Sequence, residues 1–198
     1  MPIDEEKRRT LRKFAAVGAG SPLLGLADRE GEKSEVREAI AGYVERTPGA
    51  HFSKIRDDLE LATGEAQYHL RRLTDRNTIE IRRDGDYKRF FPADRFDAFE
   101  QLALGYLRRE TPRAMLLALL EDPDHTGSSL AAEIGVSPAT VSTHASEMAR
   151  EGILDRSEGY RVTRPETVIV LVVRYAESFD AKTVSFADTA SDLLGYEP

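Results

Sequence analysis

The chain contains no cysteine. That excludes disulfide frameworks, thiolate zinc sites and cysteine nucleophiles, and it fits a reducing cytoplasm. Long apolar runs are missing too. The longest, Ala114 to Leu120 and Val168 to Val173, are seven and six residues, far short of the roughly 20 needed to cross a bilayer. The sequence has no His pair at ligand spacing with a carboxylate on one helix face, no nucleophile–base signature and no phosphate loop. An enzyme is therefore not expected, nor is a cofactor, a bound metal, a small-molecule ligand or a membrane partner. Lysine is scarce, 6 against 22 arginines, and 35 acidic residues leave the 198-residue chain with a net charge of −7. Nucleic-acid binders usually carry a basic footprint. Acidity of this Lys-poor kind also serves solubility in salt-loving archaea, so local charge is more telling than the sum.

What is present suffices for a packed core: 40% of the residues are hydrophobic, too many for a disordered chain. The N-terminus opens with Arg8-Arg9-Thr10-Leu11-Arg12-Lys13. It reads as a basic amphipathic helix, about Asp4 to Val17, followed by a loop to residue 33. A twin-arginine export signal is the rival reading, but Leu11 and Arg12 depart from that pattern, and Gly18, Gly20, Pro22 and Gly25 interrupt the stretch behind it.

Residues 52–79 repeat at 127–154 without a gap, at an offset of 75. Ile55 falls on Leu130, Leu59 on Ile134, Leu61 on Val136, Ala66 on Val141, Leu70 on Ala145 and Leu73 on Met148. Six apolar positions in one register indicate two copies of one supersecondary unit. In copy one a helix is expected near Ser34 to Arg46, with Ser34 as N-cap. A short helix follows at about Ser53 to Glu60, then a third at about Gly64 to Arg76, with Asn77 as a left-handed cap. In copy two Thr111-Pro112 and Ser137-Pro138 each read as an N-cap followed by Pro at the first helical position. A hairpin follows each third helix: Ile79–Arg82 and Tyr87–Phe91 around Asp84-Gly85, and Ile153-Leu154 with Tyr160–Thr163 around Glu158-Gly159. Two short helices, a tight turn and a hairpin make a winged helix-turn-helix. The expected fold is mainly α with small β-hairpin wings. Its expected domains are 1–33 (basic helix and loop), 34–93 (first winged helix), 94–110 (linker helix), 111–165 (second winged helix) and 166–198 (helical tail).

Pro48-Gly49-Ala50-His51-Phe52-Ser53, Tyr68-His69-Leu70 and Arg89-Phe90-Phe91-Pro92 together resemble archaeal, haloarchaeal-type transcription regulators with two tandem winged helix-turn-helix domains. Val136-Ser137-Pro138-Ala139-Thr140-Val141-Ser142 is similar to the start of the recognition helix in MarR- and ArsR-type regulators. The likeness covers about residues 34–165 and implies double-stranded DNA as partner. One departure is the absence of the cysteines that ArsR-type metal sensors use.

Helical spacing puts Ala66, Leu70 and Leu73 on one face of the first copy's third helix. Gln67, Tyr68, Arg71 and Arg72 lie on or beside the opposite face and are expected to meet DNA. Arg82, Arg83, Lys88 and Arg89 of the wing are expected beside them. Residues 71–89 hold seven basic and four acidic side chains, a local charge of +3. In copy two the corresponding DNA-facing candidates are Thr140, Ser142, Thr143 and Ser146, in a stretch without net charge. His69 and His144 flank apolar faces and are expected in structural hydrogen bonds. The apolar segment Val168 to Val173 reads as a helix after Pro165. Val168, Ile169, Leu171 and Val172 have no evident intrachain cover, and so are expected to form a homodimer interface. A transcription regulator binding a specific DNA sequence is the function these features favour. The acidic balance favours a rival, a tandem winged-helix interaction protein resembling the ScpB-type partners of chromosome condensation complexes.

Overall fold

A computed structural model describes residues 5–15, 28–85 and 87–190. The chain divides into two compact units between Asp97 and Ala98.

The first unit runs α1 (Glu5–Ala15), α2 (Asp28–Arg46), β1 (Ala50–His51), α3 (Phe52–Asp58), α4 (Thr63–Asp75), β2 (Ile79–Asp84) and β3 (Tyr87–Pro92). Val36, Ala39, Ile40, Tyr43 and Val44 recur at helical spacing on α2 and are all buried. They meet Ile55 and Leu59 of α3, Ala66, Leu70 and Leu73 of α4, and Ile79 and Phe90 of the hairpin in one core. α2 starts at Asp28, so Ser34 lies inside the helix and not at its cap. β3 is the central strand of an antiparallel sheet with order β1-β3-β2. Asp84 pairs with Tyr87, so Asp84 closes the ladder and is not a turn centre; Gly85 takes the left-handed conformation at φ +56°.

The basic N-terminal segment is part of this unit. Leu11 of α1 is fully buried in its core, and the Phe14 ring packs on Tyr43 with centroids 5.2 Å apart. The helices touch at Gly42, where a Cβ atom would stand 2.1 Å from the Phe14 carbonyl oxygen. The glycine-rich stretch behind α1 lies outside the described residues.

The second unit runs α5 (Ala98–Leu107), α6 (Glu110–Glu121), α7 (Gly127–Ile134), α8 (Pro138–Arg150), β4 (Leu154–Asp155), β5 (Arg161–Val162), α9 (Pro165–Tyr175), a 3-10 turn (Ala176–Ser178) and α10 (Ala181–Thr189). The repeat read from the sequence is structural. α4 and α8 are both 13 residues long and stand at the same offset, as do the caps His51 of α3 and Thr126 of α7. The left-handed residues also repeat: Glu60 with Gly135, and Asn77 with Gly152. Ser137 caps α8, its side chain accepting from the Thr140 amide, with Pro138 in the first turn. α6 begins at Glu110, so Thr111 sits in its first turn and Arg109 takes the cap position.

The tail corrects an expectation. α9 packs against α5 and α10, and Val168, Ile169, Leu171 and Val172 are all buried within the unit. They are core residues and unavailable to a partner. The cover comes from α5, which belongs to this unit and buries Ala103, Leu104, Tyr106 and Leu107. Of the six apolar residues only Val170 and Val173 face outward. Arginines fasten the segment that follows. Arg108 donates to the Ser178 carbonyl at 2.7 Å and lies 4.2 Å from the Phe179 ring centroid. Arg113 donates to the Leu107 carbonyl and pairs with Asp180.

Candidate nucleic-acid interface

α4 owes its two faces to its spacing. Ala66, Leu70 and Leu73 point into the core, while Gln67, Tyr68, Arg71 and Arg72 are exposed. The Arg72 guanidinium lies 5.9 Å from the Tyr68 ring centroid. The helix runs through the left-handed Asn77 into β2 and packs on it, which brings the wing cations into the same unit. Arg83 stands directly opposite Lys88 in the ladder, and both are exposed. Like charges opposed across two strands destabilise a hairpin, and neither has an ion pair among the described residues. A polyanion laid along this edge would relieve the repulsion. Arg82 is half-buried.

Arg89 does not belong to that surface. Its side chain is 3% exposed and pairs with Asp84, while Nη1 donates to the Gly49 carbonyl at 3.0 Å. The reason is register: Arg89 opposes His51 of β1 and so lies under the sheet's third strand. The run Phe90-Phe91 carried a trace of this. Both are buried, which breaks strand alternation and shows that both faces of β3 are covered. His51 is the second residue the sequence reading missed. Its Nδ1 accepts from the Lys54 amide at 3.2 Å and caps α3. Burial, then the charges of Arg89 and Lys54, hold its pKa below the usual histidine value.

In the second unit Ser142 and Thr143 are exposed on α8, and Thr140 and Ser146 are half-buried. Thr143 donates its hydroxyl to the Ala139 carbonyl at 3.0 Å. Ser146 donates to the Ser142 carbonyl at 2.7 Å and accepts from Arg156 at 2.6 Å. Thr140 shares a hydrogen bond with Ser137. A hydroxyl has one proton. With it committed to a helix carbonyl, Thr143 presents lone pairs outward, which suits a base amino group, whereas the Ser146 oxygen is already shared with Arg156. His144 sits by Glu147 at 3.4 Å, and His69 is buried. Among the described residues no group of three His, Cys, Asp or Glu could hold a metal ion, and no helix is long and apolar enough to cross a membrane.

Three core helices, of which the third has an outward face, followed by a hairpin and present twice, define a tandem winged helix-turn-helix chain. Residues 34–104 match the family model of an N-terminal helix-turn-helix domain, and residues 108–155 match that of a winged helix-turn-helix DNA-binding domain. The chain is 27% identical over 130 residues to an uncharacterized HTH-type transcriptional regulator of Methanocaldococcus jannaschii, a stretch covering 65% of this chain and 32% of that protein. The match thus spans about a third of the relative's length.

Proposed function

We propose that this chain is a transcription regulator that binds specific sequences in double-stranded DNA, with the first winged helix making the principal contact. The observation that carries the reading is the exposed row Gln67, Tyr68, Arg71 and Arg72 on α4, in one unit with the opposed cations Arg83 and Lys88. Arg71 can read guanine and Gln67 adenine through bidentate hydrogen bonds in the major groove. Arg72, Arg82, Arg83 and Lys88 supply phosphate contacts, which are sequence-independent and weaken with salt. In the second unit, Thr140, Ser142, Thr143 and Ser146 add light base contacts without a cationic field.

The acting species in this reading is a homodimer. One helix-turn-helix touches only a few base pairs, and two half-sites on one duplex face multiply the specificity. Val170 and Val173, the outward residues of α9, support an association surface there; light scattering measures the stoichiometry.

Selection of bound duplexes from a random pool tests the reading. It should enrich a defined motif, and Arg71→Ala should relax preference at particular base pairs, at about 1–3 kcal/mol for a good bidentate contact. A pool that stays random refutes sequence-specific binding. Failure to bind any duplex even at low salt would favour the interaction-module reading, which the net charge of −7 supports.

A further inference from the structure

We infer that Arg89 is a positioning residue that aims the wing's phosphate-binding cations without touching DNA, an inference that rests on the reading just given. One buried side chain ties three strands together. It reaches Asp84, the last residue of β2, and the carbonyl of Gly49, the residue before β1. Its guanidinium lies 5.8 Å from the ring centroid of Tyr87, the first residue of β3, and that ring in turn packs on His51 of β1 at 5.4 Å.

The clamp acts where the hairpin is weakest. A two-stranded ribbon is only marginally stable by itself, and β1 pairs only at Ala50 and His51, opposite Phe90 and Arg89. Beyond Arg89 toward the turn, Lys88 and Tyr87 pair only with Arg83 and Asp84 of β2. The repelling Arg83–Lys88 pair lies in that two-stranded end of the ladder, one register step from the Asp84 that Arg89 holds. Arg89 thus carries the rigid base of the sheet out to the tip. The geometry asks for a guanidinium. Its fork bonds in two directions at once, to a carboxylate and to a carbonyl, whereas an ammonium is a compact point charge.

The test compares wild type, R83A/K88A, R89K and the triple variant R83A/K88A/R89K for binding to a selected duplex across a salt series. Each lost phosphate contact removes about 0.9 from the slope of log affinity against log salt. R83A/K88A should therefore lower the slope by about two, so that the affinity lost between about 50 and 200 mM salt shrinks by roughly tenfold. R89K should lower the slope similarly although no charge has been removed, and the triple variant should match R83A/K88A. A second readout needs no DNA: in R89K the amides of residues 83–88 should exchange hydrogen faster, with the α4 amides unchanged. A wild-type slope in R89K, beside a reduced slope in R83A/K88A, overturns the positioning role alone. A further loss in the triple variant does the same, because it makes Arg89 an independent contact or a general stabiliser. An unchanged slope in R83A/K88A overturns the wing contact and Arg89's part in it together.

Discussion

Gly42→Ala is a substitution for which two arguments predict opposite signs. In an exposed or loosely covered helix, replacing glycine by alanine stabilises by about 1 kcal/mol through helix propensity. In this protein Gly42 is where α1 and α2 meet, and the new methyl group would lie 2.1 Å from the backbone oxygen of Phe14. The Phe14 carbonyl is backbone in the last turn of α1 and not the far end of a flexible side chain, so α1 must move off. Lifting exposes Leu11, now fully buried, and its burial contributes about 1.5–3 kcal/mol. It also separates Phe14 from Tyr43. The 11-residue helix is too short to persist undocked in water. After subtracting the propensity gain, the net destabilisation should be about 1–3 kcal/mol, capped by the free energy of undocking. Urea denaturation of the full chain measures the change, and hydrogen exchange over residues 5–15 reports the helix. Leu11→Ala should destabilise as well, and the two changes together should cost less than their sum, since each removes the same contact. A raised urea midpoint for Gly42→Ala, with α1 still protected, would refute the packing argument.

His51 gives a pH prediction. Its folded pKa lies below the unfolded value of about 6.5, so the unfolded chain binds the proton first. The stability this contributes is complete above about pH 6.5 and is lost as pH falls through the lowered folded value. His51→Asn, which keeps a cap acceptor that does not titrate, should flatten that part of a melting-temperature profile. Leu171→Ala should destabilise the second unit by about 2–5 kcal/mol, as in other buried cores, and leave the molar mass by light scattering unchanged; a change of oligomeric state at constant stability would restore α9's inner face to an interface. Ser137→Ala should cost about 1 kcal/mol by removing the α8 cap, measured by the same urea titration.

Much of this was legible along the chain. The offset of 75 located both helix-turn-helix units, because the buried positions of a short helix and its successor depend on local spacing that recurs wherever the unit recurs. α8 starts at Pro138 for reasons contained in Ser137-Pro138 alone. Gln67, Arg71 and Arg72 were placed outward by periodicity, and the structure leaves them there. Helix starts that depend on distant packing were less legible: Ser34 and Thr111 have cap chemistry, yet both lie inside their helices.

Composition and period therefore determined the two winged helices, their outward faces and the local concentration of positive charge, since all three follow from which side chains neighbour one another within a few residues. Tertiary structure alone decided three other things. It seated α1 on Gly42, turned Arg89 from a surface cation into a buried clamp, and made Val168, Ile169, Leu171 and Val172 the core of the second unit. Each depends on a neighbour far away in the chain: the α2 backbone for Phe14, the Gly49 carbonyl for Arg89, and α5 for the tail. Burial depends on what covers a residue, and a linear pattern shows which residues could be covered without showing what covers them.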